Sequence, residues 1–521
     1  MPTLQVYKYA FKPTSIDKGI QTLNGSHDIQ PSDPLSVGHE RQLLLDWHVM
    51  DDLLGAERKV HQPQKHPDNP ILAPEHDYEQ SNMASFGTVM RDPDTGRFRM
   101  WIPVFESPQV RRLGKKRSNA RGHYYESDDG ITWQRPNLGL IEYKGSKDNN
   151  IFVQSYTDNL FVTKLPQRMR DRGRYAMVYC DVLMDDDVNP TNPERSHGMR
   201  NLIAFSEDGI HFTPAPENPI WRGRTDTGNN IVYNPDRDVF MMYRRATVNA
   251  GEIRRIAYSE SKDLITWTQP LNIVRREEND PSFLYSMHVT PYHGVYVGLL
   301  CRLYSHAKPA ERLADGRDFQ MNTELAWSRD GFQWHRHPNK PVFIDTSPSQ
   351  QHACDWGMAM GMGNIIEMDD HVRIYYGGRE YLHGGYRVDS DPQRSTICLS
   401  TLRRDGFVSV SAGDDGGMML TRPLAYPGGK LRINARTTKN DGFIKVAVRE
   451  AEGSRDGWWP NPFRFEQSVA FNGDSLDHPM TWSTDTLGAF PSRTFRLHFW
   501  LENADLFSFR FDESSDGVHS K

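Results

Sequence analysis

Ser127-Asp128-Asp129-Gly130-Ile131-Thr132-Trp133 is one copy of a phrase, Ser-x-Asp-Gly-x-x-aromatic, that returns along the chain. Ser206-Glu207-Asp208-Gly209-Ile210-His211-Phe212 and Ser328-Arg329-Asp330-Gly331-Phe332-Gln333-Trp334 repeat it closely. Looser copies are Ser259-Glu260-Ser261-Lys262-Asp263-Leu264-Ile265-Thr266-Trp267 and Ser400-Thr401-Leu402-Arg403-Arg404-Asp405-Gly406-Phe407. Each follows a short apolar run and precedes another strand-like run. Asp-Gly supplies a hairpin turn with positive φ, and the aromatic carries the chain back into the sheet. Copies lie roughly 55 to 80 residues apart, which suits one four-stranded propeller blade with its loops. The five turns predict an all-β chain: a five-bladed β-propeller followed by a C-terminal β-sandwich.

Outward from these turns the chain divides into three parts. Residues 1–77 read as an N-terminal arm with a lead-in strand, residues 78–418 as the catalytic propeller, and residues 419–521 as the sandwich. The first firm strand is Arg41-Gln42-Leu43-Leu44-Leu45-Asp46-Trp47, which is expected to close the ring against the last blade. Within the first blade, Arg91-Asp92-Pro93 begins the turn Asp92 to Gly96 and is read as a hairpin tip rather than a catalytic triplet. Past residue 420 the turn phrase ceases, while alternating strands such as Phe443-Ile444-Lys445-Val446-Ala447-Val448 continue.

Composition excludes several function classes. The 62 basic and 68 acidic residues give a formal charge of −6 with no long basic run, which argues against a nucleic-acid partner. No stretch is long and apolar enough to span a bilayer, and the start lacks a signal peptide's apolar segment. A cytoplasmic location is expected, or a secreted or periplasmic one if a leader has been removed. Cys180, Cys301, Cys354 and Cys398 are widely spaced and read as buried thiols, with no zinc-type spacing. His-Glu-x-x-His, P-loop, dinucleotide and Gly-x-Ser-x-Gly motifs are all missing.

In a propeller the innermost strands begin at one face and line an axial funnel. Acids just before those strands are therefore the candidates for chemistry: Glu79, Asp158, Asp226, Asp280 and Asp355, one for each blade. Hydrolysis at a glycosidic bond needs two carboxyl groups flanking that bond, one of them kept protonated. Glu79, Asp226 and Asp355 are the expected catalytic set. Asp280, Arg244, Arg245, Trp356, His383 and Glu324 are the expected substrate-binding set, with Trp356 available for stacking on a sugar ring. No metal ligand set and no required cofactor is expected, although the central acids and carbonyls would suit a structural Ca²⁺.

These features together resemble the five-bladed propeller glycoside hydrolases of families 32, 43 and 68, and especially a family-32-like group. The resemblance rests on Leu45-Asp46, the turn at Ser127 to Trp133, Lys147-Asp148-Asn149-Asn150-Ile151, Asp226-Thr227, Asp405-Gly406-Phe407-Val408-Ser409 and the closing segment from Gly473 to Phe511. It spans nearly the whole chain. The family 32 motifs Trp-Met-Asn-Asp-Pro-Asn and Glu-Cys, and its catalytic Arg-Asp-Pro, have no counterpart here. The resemblance implies a general scheme only: a few funnel acids acting as general acid and as base or nucleophile on an oligo- or polysaccharide, in exo fashion. A glycoside phosphorylase on the same scaffold, using Arg244, Arg245 and nearby histidines to hold phosphate, is the alternative. A non-catalytic carbohydrate-binding propeller is a third reading. The expected partner is a carbohydrate, with neither nucleic acid nor membrane, and the sequence does not choose an oligomeric state.

Overall fold

The computed structural model describes residues 33–79, 82–105, 120–153, 159–182, 199–222, 228–245, 254–277, 280, 283–304, 319–348, 353–383, 394–450, 463–483, 487 and 493–513. Its regular structure is almost entirely strand. The described residues fall into two compact units: one within 63–367 and 372–401, the other within 33–62, 368–371 and 402–513.

The larger unit is a propeller of consecutive antiparallel meanders, and five are found among the described residues. Meander 1 runs through Thr88–Arg91, Phe98–Phe105, Arg121–Ser127 and Ile151–Val153. Meander 2 runs through Leu160–Lys164, Tyr175–Val182, Met199–Ser206 and the short outer pieces Thr213–Pro214 and Trp221–Arg222. Meander 3 is Asn230–Asn234, Val239–Arg245, Ile256–Ser261 and Leu271–Val274. Meander 4 is Phe283–Tyr292, Val295–Leu303, Met321–Ser328 and the outer pieces His335–Arg336 and Val342–Ile344. Meander 5 is Met358–Glu367, His371–Arg379 and Ser395–Arg403, with Gln64–Lys65 as its outer strand.

Side-chain alternation explains why these sheets stack face to face. In Val239–Arg245, Phe240 and Met242 enter an apolar cluster with meander 2. Met241 and Tyr243 enter another with meander 4. A strand covered on both faces thus reads as an unbroken apolar run despite its period of two. The first strands also bond in a closed cycle. Val162 N–H donates to Thr88 Oγ1 (3.0 Å), and Gly228 N–H to Asn159 Oδ1 (2.8 Å). Val289 N–H donates to Asn230 Oδ1 (2.9 Å), Ile365 N–H to Thr290 Oγ1 (3.0 Å), and Asn364 Nδ2 to the Val89 carbonyl (3.1 Å).

The repeated turn has a second duty. Ser127 Oγ accepts from Gly130 N–H, while Asp129 Oδ1 accepts from Ile131 and Thr132 N–H, which fixes the loop from inside. Gly130, Gly209 and Gly331 sit at φ of 71°, 76° and 77°, where a Cβ is disfavoured. Each of these glycine carbonyls then accepts a bond from the second strand of the preceding meander. Tyr375 Oη donates to Gly130 (2.8 Å), Trp101 Nε1 to Gly209 (2.7 Å) and Tyr243 Oη to Gly331 (2.7 Å). The turn is therefore a rivet between neighbouring sheets.

The two looser copies depart from expectation. In meander 3 the turn starts at Ser261, not Ser259. Ser261 Oγ accepts from Leu264 N–H (2.8 Å), and Asp263 Oδ1 accepts from Ile265 and Thr266 N–H. Leu264 occupies the glycine position at φ 66°, and its side chain is buried between meanders 2 and 3. At the last copy, Gly406 N–H bonds to the Arg403 carbonyl, and Ser400 Oγ donates to the Ile374 carbonyl instead of bracing the turn. The reason is topological: the next strand, Val408–Ala412, belongs to the smaller unit and pairs with Glu57–Val60 and Ala504–Phe511. Meander 5 takes its outer strand from Gln64–Lys65, with a bridge from Leu72 to Ile397. The expected closure by Arg41 to Trp47 does not occur, since Gln42–Leu43 pairs with Phe509 and Ser508 in the smaller unit.

The smaller unit has two six-stranded sheets. One centres on Thr494–Glu502, flanked by Gly417–Thr421 and Phe443–Glu450. The other centres on Ala504–Phe511, flanked by Leu431–Thr437 and Val408–Ala412. Strict alternation along Thr494–Glu502 sends Phe495, Leu497, Phe499 and Leu501 into one apolar core with Ile433, Phe509 and Phe511. Met50–Leu54 and Glu57–Val60 add to these sheets, so this unit draws on the N-terminal residues as well as on those after residue 401.

Candidate functional site

Three of the acids that precede inner strands share one geometry. Glu79, Asp280 and Asp355 each stand three residues before a first-strand segment, namely Asn82–Met83, Phe283–Tyr292 and Met358–Glu367. Each reaches a cation at the outer edge of its own meander. Glu79 Oε1 accepts from Arg135 Nε (2.7 Å) and Tyr125 Oη (2.9 Å), while Oε2 accepts from the backbone N–H of Glu75 and His76. Asp280 forms a two-pronged pair with Arg336 (2.7 and 2.9 Å), and also accepts from Glu277 N–H and meets Lys340 Nζ (3.0 Å). Asp355 Oδ2 accepts from Lys65 Nζ (2.6 Å) and Tyr376 Oη (2.9 Å). All three carboxylates are buried. The residues act as clamps that tie the chain entering an inner strand to the sheet's outer edge.

Electrostatics agree with that role for two of them. Burial by itself would push the Glu79 carboxyl up, but bonds from Arg135 and the Glu75 and His76 amides outweigh it and hold it below the usual range. Asp280 behaves alike: burial opposes ionisation, and Arg336, the Glu277 amide and Lys340 bring it down to about 2. Glu324 joins the same network, accepting from Arg336 Nε (2.8 Å) and Nη2 (2.7 Å) and from Arg302 Nη1 (3.2 Å). It lies on the third strand of meander 4, paired across from Leu300 of the second strand and Val342 of an outer piece. Oxygens engaged by Arg and Lys do not suit a Ca²⁺ ligand set. Among the described residues no group of three or more His, Cys, Asp or Glu gathers that could hold a metal ion.

No hydrogen bond or ion pair among the described residues joins Glu79, Asp280 and Asp355 to one another. Asp158 and Asp226 lie outside the described residues.

A different group converges where the inner strands begin. Phe86 precedes Thr88–Arg91 in meander 1, and Tyr285 lies on Phe283–Tyr292 in meander 4. These meanders are not ring neighbours, yet the two rings stack with centroids 6.3 Å apart, so the contact crosses the axis. Arg245 of meander 3 lies over Tyr285 at 4.4 Å, and Arg254 of the same meander at 4.7 Å. His383, just beyond the second strand of meander 5, meets the Tyr285 ring edge-on at 5.2 Å, and its backbone N–H bonds to the Phe319 carbonyl. Trp356 is half-buried at the start of meander 5, and its carbonyl accepts from Gln320 Nε2 (3.0 Å). Arg244 points the other way from Arg245, toward meander 2, with its guanidinium 3.8 Å from the centre of the Trp221 ring. The structure thus gathers Arg245 and His383 of the expected residues around one aromatic axis.

Sequence reasoning missed Tyr285, Phe86, Arg254 and Trp221. Arg254 had a signal: Arg245 pairs directly with Ile256, the first residue of its strand, and in extended chain the residue two positions before Ile256 falls on the same face. Tyr285 and Phe86 had none, because their meeting depends on ring closure. Both rings are buried, with Phe86 stacked on Tyr285 and the Arg245 and Arg254 guanidinium groups over it, so the cluster packs aromatic and cationic side chains together where the inner strands begin.

No family model matches the chain, and no curated protein matches it. Solved structures do. One described as "Glycoside hydrolase" is 16% identical, with a TM-score of 0.44 over 66% of this chain and 92% of its own. An N-acetylgalactosamine deacetylase from F. plautii in complex with blood group B trisaccharide is 14% identical, with a TM-score of 0.44 over 68% of this chain and 97% of its own. A β-1,2-mannobiose phosphorylase from Listeria innocua is 10% identical, with a TM-score of 0.45 over 66% of this chain and 97% of its own.

Proposed function

We propose that this protein is a carbohydrate-active enzyme, a glycoside hydrolase acting in exo fashion on an oligo- or polysaccharide at the mouth of a five-bladed propeller. The carrying observation is the axial cluster of Tyr285, Phe86, Arg245, Arg254 and His383, supplied by four different meanders. We assign sugar recognition to the strand ends around this cluster of aromatic and cationic side chains. Support for five blades comes from the closed cycle of bonds among the first strands. Glu79 and Asp355 act here as clamps that position the inner strands, while Asp226, outside the described residues and four positions before Asn230–Asn234 in sequence, is proposed as the catalytic acid. The two sheets of the smaller unit form a β-sandwich around one apolar core.

A second reading, a phosphorylase, is favoured by one feature: Arg245 and Arg254 bring two guanidinium groups to the same ring. The test is an oligosaccharide panel with product detection, run with and without inorganic phosphate. Hydrolysis without phosphate supports the first reading, and turnover that needs phosphate supports the second. Asp226→Asn is expected to abolish turnover with the fold intact. Glu79→Gln is expected to lower stability and to leave kcat within a few-fold. Absence of turnover on every glycan overturns the enzyme reading.

A further inference from the structure

Three arginines of the larger unit sit against buried carboxylates, and among the described residues Arg244 meets none. Arg135 meets Glu79, Arg302 meets Glu324, and Arg336 meets both Asp280 and Glu324. Arg244 is only 1% exposed, yet Nε, Nη1 and Nη2 have no hydrogen-bond partner among the described residues. Its aromatic neighbour is the face of Trp221, 3.8 Å from the guanidinium carbon to the ring centre. Trp221 Nε1 is likewise buried and unbonded, although the residue as a whole is half-buried and reaches solvent.

A guanidinium so enclosed is unfavourable unless an anion accompanies it. Deprotonation does not relieve the problem. Burial brings the group down to about 10, which still leaves it charged at neutral pH. An aromatic face offsets part of the lost hydration and none of the lost hydrogen bonds. The flat fork of donors matches a carboxylate, sulfate or phosphate group edge-on, and the indole N–H adds one more donor. Asn230, which begins the inner strand of the same meander, has an unbonded buried Nδ2 as well.

We infer that Arg244 and Trp221, at the seam between meanders 2 and 3, form a subsite for an oxyanion carried by the substrate or co-substrate. This rests on the glycan-processing reading. Two sources supply that chemistry: the carboxylate of an acidic sugar, or inorganic phosphate consumed in phosphorolysis. A carboxylate from the chain itself would fill the same need and leave no room for a ligand.

The experiment follows thermal unfolding of the full chain in a buffer free of oxyanions. Inorganic phosphate, sulfate, D-glucuronate and neutral D-glucose are each titrated to tens of millimolar, against wild type and Arg244→Met. The expected result is a rise of several degrees in the wild-type midpoint with at least one oxyanion, no rise with glucose, and no rise in R244M. Phosphate acting alone identifies the co-substrate, and glucuronate acting alone identifies an acidic sugar. Without added oxyanion, R244M is expected to be at least as stable as wild type, because it loses an unmatched buried charge. A less stable or unfolded R244M overturns the inference, since that marks a chain carboxylate left behind. So does a wild-type midpoint that no oxyanion raises above its response to glucose. Turnover on neutral glycans without oxyanion binding removes this subsite and leaves the proposed function standing. Oxyanion binding with no turnover on any glycan does the reverse.

Discussion

Replacing Arg336 by Met should cost the larger unit about 3 kcal/mol at neutral pH, near the low end of the range for breaking a buried ion pair. Arg336 joins two buried carboxylates, Asp280 at 2.7 and 2.9 Å and Glu324 at 2.7 and 2.8 Å. Methionine fills much of the volume, so the loss is electrostatic. Each orphaned acid keeps one cation: Lys340 stands 3.0 Å from Asp280, and Arg302 stands 3.2 Å from Glu324. That remaining company places the cost toward the bottom of the range. The depressed carboxyl gives an independent figure. Burial raises the Asp280 carboxyl, yet Arg336, the Glu277 amide and Lys340 bring it from 3.8 down to about 2, a net gain on the order of 2 to 3 kcal/mol at roughly 1.4 kcal/mol per pH unit.

The sign of the pH dependence follows from the same shift. A carboxyl whose folded value is depressed contributes stability that is full above the unfolded value, near 3.8, and is lost as pH falls through about 2. The gap between wild type and R336M should therefore be widest at neutral pH and shrink on acidification, with roughly half of the Asp280 share gone by pH 3. Urea unfolding followed by tryptophan fluorescence at pH 7 and pH 3 measures both values, since the buried Trp327 shares a strand with Glu324. A gap at pH 7 below about 1 kcal/mol, typical of an exposed pair, would refute the network argument. A gap that stays constant between the two pH values would refute the assignment to Asp280.

Two further outcomes probe the repeated turn. Tyr243→Phe and Tyr375→Phe remove the donors to the Gly331 and Gly130 carbonyls; each should cost about 1 to 2 kcal/mol because a buried carbonyl loses its partner. Equal falls in the urea midpoint would support the rivet, and a neutral result in either variant would count against it. Leu264→Gly restores the repeat's usual residue at φ 66° but empties a buried position. The lost packing, about 2 to 5 kcal/mol, exceeds the roughly 1 to 2 kcal/mol of backbone relief, so the variant should be less stable. A stabilised L264G would show that the turn, not the core, governs that site.

Much of this architecture was legible because it is local. Ser-x-Asp-Gly-x-x-aromatic encodes its own hydrogen bonds within seven residues, so the turns around Gly130, Gly209 and Gly331 could be placed before any contact was known. The tip at Asp92 was equally readable, since Asp92 Oδ1 accepts from the Asp94 and Thr95 amides a few residues on. The acids before the inner strands were found for the same reason. Their clamp role was half-written, because Arg135 and Arg336 stand at matching places after their turns, each the second residue past the aromatic.

The rest required the folded ring. Nothing local links Lys65 to Asp355, 290 positions apart, or Phe86 to Tyr285. Nor does local sequence say that Val408–Ala412 leaves the propeller while Gln64–Lys65 completes it. Alternation gives Arg244 and Arg245 opposite faces, but which face meets Trp221 and which meets Tyr285 depends on the neighbours that the ring brings. A strand's period of two is a property of the backbone and survives in the sequence. The identity of what each face touches is a property of closure, and only tertiary structure decides it.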